Sequence, residues 1–522
     1  MGRGWIAFCL CLLWPGAAAA QSAEKGWHEA STRHFLVYAE GSAENAHALA
    51  EKLERFDAAL RRLRLVPDHE IGAANRLTVF QLDDVSDIES LAGRNGVAGF
   101  YSGQASGSHA FVPRRTGAVT RGDITPEAVL FHEYAHHFML ANFPGAFPAW
   151  FVEGYAEFHA TAEIAPDGTV KIGEPPLYRA FGLANKRKLS LPAMLSGKTG
   201  KLSSEQVEAM YGRGWLLLHL LTFEPARRGQ LDTYLKGMDA GLDPVEAAKQ
   251  AFGDLRTLER ELDDYLNRRR MNVWSLRPTD APAPAVAVRR LSGAEAAIMP
   301  VRIRSKRGVD AKRAAKVVAM ARKVAAEHAN SALVQVSLAE AEYDAGEFAR
   351  AEAAADAALR LDPKRTEAMI YKGMARMAAL KKAGNQDPAA WSEVRRLFGA
   401  ANRLDPEDPE PLVLFYRAFL EQGTKPTPNA VEGLTYAMEL APQDGELRMN
   451  VARQHLIDGK GPEAKAALGP VAFAPHGGEQ AEFARAVVDA IDAGGAAAAL
   501  ALFTAAEKKA EASRPGGGGD AR

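Results

Sequence analysis

The sequence predicts an α+β region followed by an all-α solenoid of helical repeats, and three observations carry that expectation. Between Trp27 and about Val112, short apolar strands flank one long segment of helical spacing. From Thr125 to about Asn272 the pattern is mainly helical. From about Val309 the chain becomes Ala-rich, with helix pairs closed at intervals by proline.

Residues 1–20 read as an export signal: Arg3 is the positive start, Trp5 to Trp14 the apolar core, and Ala18-Ala19-Ala20 the cleavage site. Both cysteines, Cys9 and Cys11, fall inside this segment, so none is expected in the mature chain. With no cysteine just after the cleavage site and no later apolar run of membrane-spanning length, neither a lipid anchor nor a membrane span is expected. The expected location is the periplasm or the exterior. The 64 basic and 65 acidic side chains nearly balance, and no basic stripe is interleaved with aromatics, which argues against nucleic acid as a partner.

Residues 21–124 form the N-terminal α/β part. His34 to Tyr38 and Arg76 to Leu82 read as strands, and Glu44 to Leu65 as a helix through Leu49, Leu53, Phe56 and Leu60. Gly99 to Tyr101 and His109 to Val112 are shorter strand candidates.

Residues 125–272 carry the chemistry. Thr125-Pro126-Glu127 starts a helix with an N-cap, a proline and a first-turn acid, and Asn142-Phe143-Pro144-Gly145 stops it. Inside lies His132-Glu133-Tyr134-Ala135-His136. Residues four apart share a helix face, so His132 and His136 can grip one zinc ion, with Glu133 beside them as general base toward a zinc-bound water. A tetrahedral site needs a third protein ligand. Pro148 to Phe158 supplies Glu153 and Glu157 on one face of a second helix, among Trp150, Phe151 and Phe158. A carboxylate there is costly to bury without a positive partner. Glu153 is assigned as the third ligand, and Glu157 as acceptor for the ring N–H of a ligand histidine, His132. His137, about 100° around the helix from His136, and His159 are expected to pack rather than ligate. For the donor that steadies a developing oxyanion, Tyr211 is the candidate, in Met210-Tyr211-Gly212-Arg213-Gly214 at an expected helix start. Ordinary helix-start packing is the competing reading, and Tyr155 is the weaker second candidate.

HEYAH, followed after sixteen residues by the Glu of WFVEGYAEF, resembles the gluzincin metallopeptidases, and more narrowly the bacterial peptidase-MA-like domains, some joined to tetratricopeptide repeats. The resemblance covers about Thr125 to Phe158. It implies a gluzincin-like fold and peptide hydrolysis, with His132, His136 and Glu153 as zinc ligands, Glu133 as base and Glu157 at an acidic supporting position. It also implies an edge strand that pairs with substrate, a role expected of His109 to Val112. No GxMEN-like segment lies upstream, so aminopeptidase activity is not implied.

Residues 273–308, with Pro278 to Pro284, read as a linker, and 309–512 as repeats. Ser331 to Pro363 resembles a tetratricopeptide repeat through Ala339, Tyr343, Gly346, Phe348, Ala351, Ala354 and Ala358, closed by Leu361-Asp362-Pro363. Leu404-Asp405-Pro406 and Leu440-Ala441-Pro442 repeat the closure at spacings of 43 and 36 residues, for which longer turns near Lys382 to Pro388 are expected. Such arrays bind an extended peptide or partner protein on their concave face. Residues 513–522 read as a disordered tail. Two functions stand: an exported zinc metallopeptidase with a peptide or protein substrate, or a cell-envelope scaffold whose zinc domain is inactive and whose repeats bind partners.

Overall fold

The alternation of side chains along the first strands decides the layering. In the computed structural model, which describes residues 26–512 except 119, 121, 144, 185–188, 198–201, 279–282 and 475–476, six strands form one sheet. The expected export signal and disordered tail lie outside the described residues. The strands are β1 (Gly26–Ser31), β2 (Phe35–Gly41), β3 (Leu77–Asp84), β4 (Phe100–Gln104), β5 (Gly107–Arg115) and β9 (Ala287–Arg290), in the order β4-β5-β3-β2-β1-β9. β2, β3 and β5 run parallel, whereas β4, β1 and β9 pair antiparallel to their neighbours.

Phe35, Val37, Leu77, Val79, Ala110 and Val112 join one core with α1 (Ala43–Arg64) and α3 (Pro126–Asn142). The intervening Tyr38, Phe80 and Phe111 stack on one another on the opposite face, with α2 (Val85–Ala92) and with Met299 and Ile303 of α11 (Gly293–Lys306). Both faces of the sheet are therefore covered.

The helical part follows with α4 (Ala149–Ala160), α5 (Ala180–Ala184), α6 (Leu191–Leu195), α7 (Ser204–Phe223), α8 (Gln230–Asp239), α9 (Pro244–Phe252) and α10 (Leu255–Leu266). A small second sheet joins β6 (Glu163–Ile164), β7 (Val170–Ile172) and β8 (Trp274–Leu276).

Two sequence expectations change here. The edge strand is β4, not His109 to Val112, which lie in β5 between β4 and β3. The segment 273–308 is not simply a linker: it adds β8 to the small sheet and β9 to the large one, where Ala30 registers with Val288, and it ends in α11.

The array continues through α12 (Ala311–Glu327), α13 (Ala332–Asp344), α14 (Phe348–Leu361), α15 (Thr366–Lys382), α16 (Pro388–Leu404), α17 (Pro409–Glu421), α18 (Pro428–Leu440), α19 (Gly445–Ile457), α20 (Gly461–Ala472) and α21 (Gly478–Ala512). These are tetratricopeptide-like antiparallel pairs, and α11 with α12 forms the first. α14, α16 and α18 end at Leu361, Leu404 and Leu440, each just before its expected closing proline. The wide spacing up to Pro406 comes mainly from helix length, since α15 and α16 have 17 residues each against 13 and 14 in α13 and α14.

First helices of successive pairs pack on one another, α11 on α13, α13 on α15 and α15 on α17, so they line the inner curve. On that inner face Met374, Leu414 and Arg417 line a cavity together with Ser102 to Ser106 of the N-terminal region. Lys306 of α11 pairs with Glu340 of α13 at 3.0 Å, in the field of Glu367 and Glu410. The last stretch, Gly478–Lys509, is long and apolar enough by composition to cross a membrane, unlike the sequence expectation. It is broken at Gly495 (φ 72°, ψ −169°), and Phe483 meets Phe503 with ring centroids 5.1 Å apart, so the two halves fold back as a hairpin on the array.

Candidate metal centre and its cleft

The Thr125 side chain accepts the N–H of Ala128, and Pro126 opens the first turn of α3, which fixes where the helix begins. From that start, His132 and His136 fall one turn apart, with their Nε2 atoms separated by 3.1 Å. α4 enters after Pro148 and is buried along its whole length, so Glu153 has no exposed surface. Its Oε2 lies 3.6 Å from Nε2 of each histidine.

These distances test whether a metal fits. Two donors about 2.0–2.1 Å from a tetrahedral zinc ion stand about 3.3–3.4 Å apart. The three observed separations bracket that value. Burial opposes charge on His132, yet Glu153, Glu157 and Glu133 together hold its pKa above the ordinary value. Those carboxylates would also offset the charge of a cation, for which the imidazole must give up its proton. The donor set, two imidazole nitrogens and one carboxylate, suits zinc.

Around these three groups stands a support that only partly follows the sequence reading. Glu157, also without exposed surface, places Oε1 3.4 Å from Nδ1 of His132. It also accepts the Tyr178 hydroxyl and the Arg179 Nε–H, each at 2.9 Å, and Arg179 reaches on to Glu208 at 2.7 Å. Tyr178 and Arg179 escape sequence analysis because they sit on a one-turn 3-10 helix (Leu177–Arg179) with no motif around it. Under α3, Tyr134, the third residue of the motif, donates to Asp57, which pairs with Arg61 at 2.7 Å. His34 and Glu54 extend that network through a 2.8 Å contact.

Tyr211 belongs to the site, but not at a helix start: it lies in the third turn of α7. Its ring is parallel to that of His132, 3° between planes and 6.0 Å between centroids, and the Arg179 guanidinium covers it at 4.7 Å. Burial first, then the charge and hydrogen bond of Glu153, push the Tyr211 pKa well above its ordinary value, so its hydroxyl remains a donor. The neighbouring glycines are contact points rather than turn residues. A Cβ on Gly214 would lie 2.6 Å from the Trp150 carbonyl oxygen, and one on Gly154 would lie 2.6 Å from the backbone of Gly214. Arg213 is buried against Glu259 at 3.3 Å and does not line the cleft. Nor does Tyr155, which packs against Arg64 and His159. His137 lies 3.0 Å from the Tyr101 hydroxyl, and burial, with Arg61 and His34 nearby, lowers its pKa to about 4. It packs, as the sequence suggests.

The site opens into a cleft of about 940 Å³ lined by Gly99 to Gly103, His132, Glu133, His136, Glu153 and Tyr211. Glu133 is mostly buried, and Gly99 lies beside it, where a Cβ would be in ordinary contact with its Cγ at 3.4 Å.

No known family model and no curated protein matches the chain. Among solved structures it is similar to a thermophilic TPR protein of Thermus thermophilus, at 16% identity over 32% of this chain and 85% of that one, with a TM-score of 0.28. It is also similar to a MamA RS-1 ArsTM double mutant, at 16% identity over 33% and 90%, with a TM-score of 0.25. Scores this low carry no argument, and the repeat architecture rests on the helix pairs themselves.

Proposed function

We propose that the chain is an exported zinc metallopeptidase of the gluzincin type, hydrolysing peptide bonds, with an array that serves peptide or protein binding. The observation that carries this reading is the convergence of His132, His136 and the fully buried Glu153 beside Glu133 in an open cleft. These three residues would hold zinc, and Glu157, braced by Tyr178 and Arg179, would orient His132. When bound, the ion supplies a Lewis acid that polarises the scissile carbonyl.

The rest of the chemistry belongs to the chain. Glu133 takes a proton from the attacking water and passes it to the leaving amine. Tyr211, a protonated donor at the ligand carboxylate, shares the charge that develops on the carbonyl oxygen. β4, the outermost strand of the sheet beside α3, would align an extended substrate along its outer edge.

The test is peptide cleavage by wild type, Glu133→Gln and Glu153→Ala, with zinc content measured on each. Glu133→Gln is expected to keep zinc and lose about 10²–10⁴-fold in rate. Glu153→Ala is expected to lose both zinc and activity. Wild-type cleavage by Glu133→Gln would rule the mechanism out.

A further inference from the structure

One wall of the metal cleft is built by the repeat array. Gln443, Pro470, Ala474 and Gln480 line the same cavity as His132 and Glu133. They stand far along the chain from the motif, and three separate contacts fix them there.

The Ala105 N–H, in the β4–β5 turn, donates to Asp444 Oδ2 at 2.7 Å, while Asp444 Oδ1 accepts the Leu447 N–H at 2.9 Å and caps α19. One buried carboxylate thus ties the hairpin to the helix. Gln443 Nε2 donates to Ser108 Oγ at 3.0 Å. At the other side of the cleft, α20 meets the loop between the two metal helices: a Cβ on Gly469 would lie 3.3 Å from the Ala146 Cβ. One buried hydrogen bond, one part-buried hydrogen bond and a close contact at Gly469 hold the array against the cleft in this structure.

The consequence falls on β4. Its outer edge is where a substrate backbone would pair, yet α19 contacts the strand and Gln443 packs on Gly103, where a Cβ would lie 2.6 Å from the Gln443 Cγ. Gly99 to Ser102, with Gln480 lining the same cleft, are therefore what the substrate can reach. A single extended strand needs about 4.8 Å of lateral spacing; the surface of a folded protein needs the array out of the way.

We propose that the array is a stationary wall of the cleft which selects extended, unfolded polypeptide over folded protein, with Gln480 at the contact. This rests on the peptidase reading of the site, but its test uses binding. In the full chain carrying Glu133→Gln, fluorescein-labelled random peptides are titrated by anisotropy, with disulfide-reduced and native ribonuclease as competitors. Gln480→Trp, which adds bulk at an exposed position, is expected to weaken peptide binding about tenfold or more without changing zinc content or melting temperature. Reduced ribonuclease should compete and native ribonuclease should not.

The pair Ala146→Cys and Gly469→Cys adds a lock, because its Cβ separation is close to that of a disulfide, about 3.5–4.5 Å. The oxidised lock should bind peptide within about twofold of the reduced form. Loss of binding on oxidation, restored by reductant, would overturn the proposal, because the array would then have to swing away. Unchanged binding by Gln480→Trp, equal competition by native ribonuclease, or no peptide binding at all would overturn it as well. Peptide that is bound in this way but never cut by the wild-type chain would sink the catalytic reading and leave the wall standing.

Discussion

Gly154→Ala places one methyl group where α4 crosses α7. The new Cβ would lie 2.6 Å from both the carbonyl carbon and oxygen of Gly214 and 3.1 Å from the Trp215 nitrogen, all backbone atoms that cannot rotate aside. Relief requires the helices to part by about 1 Å, since ordinary contacts of this kind are about 3.5–4.0 Å. Overpacking of a closed core costs about 1–3 kcal/mol, and the upper half applies where backbone must move. At about 2–4 °C per kcal/mol, the melting temperature should fall by about 5–10 °C. The shift also reaches the site, because Glu153 precedes Gly154 on α4 while Tyr211 sits on α7. Zinc affinity should drop about 10–100-fold, the range for disturbed ligand support. Thermal denaturation and competition against a chromophoric chelator read the two effects. Gly293→Ala, with nothing within 4 Å of its Cβ, is the control. A Gly154→Ala protein that melts with the wild type and binds zinc equally would refute the claim that this crossing sets the ligand geometry.

Two further predictions follow from the same geometry. Tyr211→Phe should lower kcat about 10²–10³-fold with zinc content unchanged, as removal of an oxyanion donor does; a normal kcat would exclude Tyr211 from that role. The network under α3 predicts a pH dependence of stability. Burial disfavours charge on His34, but the hydrogen bond to Glu54 and the charges of Asp57 and Glu54 outweigh it and raise its pKa. The stability gained is complete below the unfolded pKa of about 6.5 and is lost as pH rises through the raised folded value. Glu54 has a lowered pKa, so its contribution is lost instead as pH falls through that lowered value. The melting temperature of the wild type should therefore decline above about pH 6.5 more steeply than that of His34→Gln. Parallel curves would show that the network contributes nothing to stability.

What was legible in the sequence is what local rules fix. Thr125 and Pro126 set the start of α3, helical spacing aligned His132 with His136, and the aromatic neighbours of Glu153 foretold a buried carboxylate. What was not legible depends on distant partners. Nothing in Gly99 to Val112 says which strand is outermost, because that depends on β5 finding β3. The proline-rich stretch before Ala287 looks like a linker, yet β9 pairs with β1 at the other end of the region. Gly212 and Gly214 read as part of a helix start, although they lie inside α7 and let it approach the α5 backbone and α4. Tyr178 and Arg179 acquire a function only when folding delivers Glu157 to them. Gln443 and Gln480 come to line the cleft only because the array packs beside β4.

The central claim is that His132, His136 and Glu153 hold one zinc ion, and elemental analysis of the untagged mature protein tests it most directly. The account predicts about one equivalent of zinc in the wild type and in Glu133→Gln, and none in His136→Ala or Glu153→Ala. A wild-type protein that holds no zinc even after reconstitution, or a Glu153→Ala protein that keeps its full equivalent, would contradict it.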